Sequence, residues 1–296
     1  MRCEARSIVI TTGTQQGIDL VIRSVLSPGE RGMLEDPCYP SARAAFAGNG
    51  LDLAGLAVDA EGADIGLAVP GARAVYVTPS HQFPLGVTMS MRRRLALIDW
   101  ARETGGWIIE DDYDSEFHYA GRPLAAMQGM DDSSRVIYLG TFSKVLFPGL
   151  RLGYAVIPDP LLETVVALRG RSDRSPPTLA EAALTDLIRE GHFAAHLRRA
   201  RRKAQAARDA LVAGLASART LSVDVPDQGL HLVARLPARL VDVEAVEIAR
   251  KAGLGARALS SMAVTNPPRQ GLVIGFSGFP PEVLHAAATR FAAAIG

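Results

Sequence analysis

Short, nearly all-apolar runs alternate along the first half of the chain with longer stretches whose apolar residues recur at helical spacing. The runs lie at residues 7–11, 74–78, 107–110, 135–139 and 152–157 and are rich in Val and Ile. Strands covered on both faces have this look. Residues 91–104, rich in Arg, Leu and Ala, read as a crossover helix. The alternation predicts an α/β fold with a mostly parallel sheet and helices on both faces. After Pro176-Pro177 the texture changes. Two helices are expected there, a shorter one to about Glu190 and a long one from about His192, parted at Gly191. Strand-like 221–225 and 230–234, helix-like 243–252, strand-like 272–276 and a closing helix over 281–295 follow. This predicts a large domain over residues 1–190 and a smaller α+β domain over 191–296 that includes the long connecting helix.

Composition narrows the class. The 296 residues are 48% apolar and 21% charged, enough to bury a core without disulfide staples. The two cysteines, Cys3 and Cys38, make neither a disulfide framework nor a zinc cage. A net charge of +1 gives no electrostatic case for a nucleic-acid or membrane-surface protein. No apolar run approaches the ~18 residues of a membrane span, and the N-terminus lacks a signal-peptide core. A cytoplasmic protein is expected. The basic run at 198–203 reads as the solvated face of the long helix.

Ligands of open parallel sheets bind at the carboxyl ends of the strands. After the first run comes Thr12-Gly13-Thr14-Gln15-Gln16-Gly17, a small-residue turn opening a helix, where free N–H groups favour a phosphate. After the third comes Glu110-Asp111-Asp112-Tyr113-Asp114-Ser115-Glu116, more acid than a helix cap requires. After the fourth comes Gly140-Thr141-Phe142-Ser143-Lys144, and Arg151 stands at the mouth of the next strand. A lysine amine there can form a Schiff base with an aldehyde cofactor. Asp111 can hold the proton of a pyridinium nitrogen. Thr141, Ser143, Arg151 and the helix after Gly13 can hold a phosphate. Together these residues suit pyridoxal 5′-phosphate.

The same segments resemble the fold-type I pyridoxal-phosphate proteins, the superfamily of aminotransferase class I/II. More narrowly the chain is similar to the aminotransferase-like domain of MocR-type regulators of the GntR family. Six blocks carry the resemblance: Thr12-Gly13-Thr14-Gln15-Gln16, Glu35-Asp36-Pro37-Cys38-Tyr39-Pro40, Thr78-Pro79-Ser80-His81-Gln82-Phe83-Pro84, Glu110 through Phe117, Gly140 through Lys144, and Arg151-Leu152-Gly153-Tyr154. The resemblance implies that Lys144 is the Schiff-base lysine, that Asp111 pairs with the pyridine nitrogen and that Tyr113 hydrogen-bonds the phenolic oxygen. Tyr39 would stack on the ring. Gly13, Thr14, Gln15, Thr141 and Arg151 would hold the phosphate, with Ser143 as a lesser contributor. His81 or Gln82 would stand near the phenolic oxygen, while Asp112, Asp114 and Glu116 are structural.

Two departures bear on function. Aminotransferases clamp the substrate carboxylate with an Arg in the last strand, and Leu272-Val273-Ile274-Gly275-Phe276 puts Val273 there, with Arg269 on the loop before it. Without a bidentate clamp, amino acids bind weakly. The chain also begins later than family domains do, and it contains no winged helix-turn-helix. The expected protein is therefore the effector-sensing, homodimer-forming domain of a MocR-type regulator without its winged helix-turn-helix, with pyridoxal phosphate and an amino-acid or amine effector as ligands. DNA would be bound through a domain outside this chain. The alternative is a catalytic class I/II aminotransferase passing an amino group between an amino acid and a 2-oxo acid.

Overall fold

The computed structural model describes residues 1, 3–121, 124–174 and 178–296. Pro176-Pro177, where the sequence pattern changes, lie outside the described residues. The first part runs β1 (Ile8–Thr11), α1 (Thr14–Val25), β2 (Arg31–Asp36), α2 (Pro40–Gly48), β3 (Asp52–Asp59), β4 (Gly62–Ala63), β5 (Ala72–Val77), α3 (Met91–Thr104), β6 (Trp107–Asp112), β7 (Val136–Thr141), β8 (Gly153–Val156) and α4 (Asp159–Ser172). The rest runs α5 (Thr178–Arg189), α6 (His192–Leu215), β9 (Ser222–Val223), β10 (His231–Arg235), α7 (Asp242–Lys251), β11 (Ala256–Ala258), β12 (Leu272–Gly275) and α8 (Pro281–Ile295).

The large sheet has the order β1-β8-β7-β6-β5-β2-β3-β4. From β7 through β3 every pairing is parallel. The central strands are covered on both faces, which explains the apolar runs of β5, β6 and β7. On β6, Ile109 packs with Ile18 and Ile22 of α1, while its neighbour Ile108 packs with Leu97 and Ile98 of α3. Local signals fix the ends of α3. Ser90 caps it by accepting a bond from the Arg93 N–H at 3.3 Å, and Gly105 leaves it in the left-handed conformation.

Elements β2, α2, β3, α4 and β11 escape a reading of apolar runs. β2 ends in two buried acids, Glu35 and Asp36, which read as loop residues. β3 carries Ala and Gly between its apolar positions and alternates buried with half-exposed residues. In both cases tertiary contacts override weak strand propensity.

The second, antiparallel sheet has the order β11-β12-β10-β9 and packs on α6 and α8. Leu211, Leu215, Phe276, Ala288 and Phe291 lie at the centre of this core. The basic run of α6 is largely exposed, as expected of a solvated helix face.

The backbones of α6 and α8 approach closely at Gly214, where a Cβ would fall 2.6 Å from the Ala288 Cβ and 2.7 Å from the His285 carbonyl oxygen. Gly214→Ala should therefore destabilise the protein by about 1–3 kcal/mol through overpacking, despite the ~1 kcal/mol helix-propensity gain of Ala over Gly. The urea midpoint checks this; an unchanged or higher midpoint would mean that the two helices part without cost.

Candidate functional site

The topology brings separated segments to one edge. β8 runs antiparallel to both of its neighbours, and Gly153 pairs with Thr11 on one side and Thr141 on the other. The start of β8 therefore lies beside the ends of β1 and β7. Gly13, Ser143 and Arg151 each stand two residues outside this shared rung. Gly13 caps α1 with φ 103°, a conformation that L side chains rarely adopt. The Arg151 guanidinium carbon lies 3.8 Å from where a Gly13 Cβ would sit, so the cation closes on the helix N-terminus. Arg151 itself turns the chain at φ 52° into β8.

These residues border a cleft of about 290 Å3. Gly13, Thr14, Gln15, Tyr39, Asp111, Tyr113, Thr141, Ser143, Lys144 and Arg151 line it, so ten of the twelve residues singled out for the cofactor in the sequence converge. Lys144 is exposed on the cleft wall, and no hydrogen bond among the described residues holds its amine. Ser143 N–H donates to Thr141 Oγ1 at 3.2 Å, turning the chain after β7.

Asp111 is buried at the end of β6. Its Oδ2 accepts the Tyr76 hydroxyl at 2.5 Å, and its Oδ1 has no partner among the described residues. Burial pushes its carboxyl up to about 7, with the Tyr76 bond opposing and Asp112 and Asp114 adding to the rise. Burial and the Asp111 charge hold the Tyr76 phenol well above its ordinary value, so it stays a donor.

The other two, His81 and Gln82, do not line the cleft. His81 is buried behind Tyr113: its carbonyl oxygen accepts the Tyr113 hydroxyl at 2.9 Å, and its Nδ1 lies 3.0 Å from Asp114 Oδ2. The Tyr113 hydroxyl also lies 3.1 Å from His81 Nδ1, so His81 fixes its position beside the cleft. Gln82 spends its amide on Glu35, the Pro37 carbonyl and the Phe83 carbonyl. Asp112 accepts from Ser115 and Tyr138, and Asp114 accepts the Leu230 N–H at 3.2 Å. Glu116 has its carboxyl pushed up to about 7 by burial.

Tyr76, Thr78, Phe83 and Pro148 also line the cleft, unforeseen from the sequence. Thr78 and Phe83 belong to one of the quoted blocks, but Tyr76 gives no signal, because a tyrosine inside an apolar strand reads as core. Phe83 meets Tyr39 edge-on with ring centroids 5.5 Å apart. Behind Phe83, Val273 is buried in β12 with Leu259 and Met262. Arg269 points elsewhere: it donates to the Val58 carbonyl at 2.6 Å and lines a separate cavity of about 210 Å3 with Asp36 and Asn266.

Residues 2–290 match the family described as Aminotransferase class I and II. The chain belongs to that family. LysN, an alpha-aminoadipate aminotransferase of Thermus thermophilus complexed with N-(5′-phosphopyridoxyl)-L-leucine, superposes with a TM-score of 0.90 at 27% identity, covering 98% of this chain and 77% of LysN. The fold class expected for this aminotransferase-family chain, fold type I, is thus the one observed. A curated relative, the probable rhizopine catabolism regulatory protein MocR of Rhizobium meliloti, is 38% identical over 288 residues, 96% of this chain and 58% of MocR. Aromatic-amino-acid aminotransferase 1 of Thermococcus litoralis is 29% identical over 242 residues, 78% of this chain and 58% of that enzyme. The chain therefore spans less than two thirds of either curated relative. No helix among the described residues is long and apolar enough to cross a membrane.

Around the cleft, Glu35, Glu110, Asp111 and Glu116 all have carboxyls pushed up to about 7 by burial. Between about pH 4 and about pH 7 the folded chain holds protons that the unfolded chain has released. This stabilisation is fully present below about pH 4 and is lost as pH rises through about 7. The urea midpoint of the cofactor-free protein should fall across that window. Glu35→Gln, which mimics the protonated acid, should remove roughly one proton from the dependence, about 1.4 kcal/mol per pH unit. An unaltered slope in the variant would place the Glu35 titration outside this window.

Proposed function

We propose that this chain is a pyridoxal 5′-phosphate-binding, aminotransferase-like domain that senses a small amino-acid or amine effector and dimerises within a MocR-type GntR regulator. One observation carries the reading. The cleft joins an amine, a guanidinium closed on a helix N-terminus, and a buried carboxyl with an unpartnered oxygen, at Lys144, Arg151 and Asp111. Pyridoxal phosphate has an aldehyde, a phosphate and a pyridine nitrogen to match them. Lys144 would hold the aldehyde end. Arg151, Gly13, Thr14, Gln15 and Thr141 would hold the phosphate, with Ser143 beside them. Asp111 Oδ1 would take the pyridine nitrogen, and its own proton would serve there, since the Asp111 carboxyl is pushed up to about 7. Tyr39 would stack on the ring. Tyr113, positioned by His81, would hydrogen-bond the phenolic oxygen. When bound, the cofactor supplies an electrophile for primary amines and an electron sink.

In this reading residues 1–190 form the cofactor-binding domain and 191–296 the small domain, and the protein works as a cytoplasmic homodimer. Operator contact falls to a winged helix-turn-helix region that these 296 residues do not contain. The identity to MocR supports the regulator. A second reading, a catalytic aminotransferase, draws on the identity to the Thermococcus litoralis enzyme.

Lys144→Ala should abolish the imine absorbance band that pyridoxal phosphate gives with the wild-type chain and leave only the band of the free aldehyde, while phosphate-driven affinity persists. An imine band surviving in the variant would refute the assignment of Lys144. To separate the two readings, the holo-protein is assayed with an amino acid and a 2-oxo acid. The sensor reading expects less than one turnover per site in minutes; sustained product formation would replace it with the enzyme.

A further inference from the structure

We propose that the effector captured in this cleft is a primary amine with no carboxylate on the carbon that bears the nitrogen. The inference rests on the cofactor reading above and names the ligand class of the same site.

Among the described residues, the cations lining the cleft are Lys144 and Arg151. The cofactor would engage both, one at its aldehyde end and one at its phosphate. The wall toward the second sheet is aromatic and apolar. Phe83 stands between Tyr39 and Tyr113, with centroids 5.5 Å and 6.1 Å away. Behind it Val273, Val233, Leu259 and Met262 form one apolar cluster. Arg257, the cross-strand neighbour of Val273, is exposed and does not line the cleft. Arg269 is spent on the Val58 carbonyl. His231, whose ring centroid lies 5.0 Å from that of Phe83, is held neutral by burial and by His81.

Among the described residues this wall offers a carboxylate no cation. An amino-acid carboxylate entering here would lose its hydration and find no free cation among the described residues, which costs more than the contact returns. A primary amine without that carboxylate avoids this cost, and its body meets Phe83 and Tyr39.

The test uses the full chain loaded with pyridoxal phosphate and reads the shift of its visible band on titration with matched pairs: 2-phenylethylamine against L-phenylalanine, and ethanolamine against L-serine. Each pair differs by the carboxylate alone. The amine of each pair should act at a concentration lower by about tenfold or more. An equal or tighter response to the amino acid, or no response to either amine, overturns the proposal. If no band forms with pyridoxal phosphate, the cofactor reading itself falls. A band with amino acids preferred removes this inference alone. Val273→Arg should lower the L-phenylalanine concentration required by about tenfold and leave that of 2-phenylethylamine within about twofold. An unchanged ratio in a variant whose thermal melt shows it folded would refute Val273 as the specificity position. If the variant does not fold, the wild-type pairs decide.

Discussion

The cleft depends on the antiparallel run of β8 between β1 and β7, because the pairing of Gly153 with both Thr11 and Thr141 sets three chain segments on one edge. Had β8 run parallel to them, Arg151 would lie at the opposite end of the sheet from Gly13 and Lys144. Instead the left-handed turn at Arg151 delivers its guanidinium against the start of α1. A helix N-terminus and a cation then share one small volume, where an anion meets N–H groups and charge together.

The acids at the ends of β2 and β6 are the costly part of this arrangement. Burying a carboxyl in a strand is unfavourable unless it is bonded or neutral. Glu110 accepts the N–H groups of Met127 and Gln128, both at 2.9 Å, and so anchors the loop beyond β6. Glu35 accepts from the N–H and hydroxyl of Thr78 and so joins the ends of β2 and β5. Asp111 is less well satisfied: Tyr76 serves one oxygen and nothing among the described residues serves the other. An unmet buried acceptor on a cleft wall is a standing cost that a ligand with an N–H would repay.

The antiparallel sheet is fastened to the loops around the cleft by backbone-to-acid bonds. Asp36 accepts the N–H groups of Val264, Thr265 and Asn266 at 2.7–2.8 Å, just before β12. Asp114 accepts Leu230 N–H, and Phe117 accepts Gly229 N–H at 2.7 Å, just before β10. These ties hold Val273 and His231 against Phe83, so the character of one cleft wall is set by strands more than a hundred residues away in sequence.

How much of this was legible depended on whether the signal was local. The apolar runs of β1, β5, β6, β7 and β8 mark themselves, because strands covered on both faces need apolar residues at every position. The ends of α5 and α6 and the whole of α8 follow from Gly191 and Pro281. Lys144, Asp111, Tyr113 and Arg151 stand out because polar residues crowd the ends of those runs. β2 and β3 gave no such mark, since buried acids in one and small residues in the other look like loop until Thr78 or a neighbouring strand supplies the partner. His81 shows the same limit. Its segment was visible, but whether it faces the cleft or the back of Tyr113 depends on Asp114 and the start of β10. The sequence by itself determined which chemical groups the strand ends carry, because those groups follow their strands directly. Only the tertiary structure decided which of them share one volume and which oxygen is left unpaired, because both depend on strand direction and on partners distant in the chain.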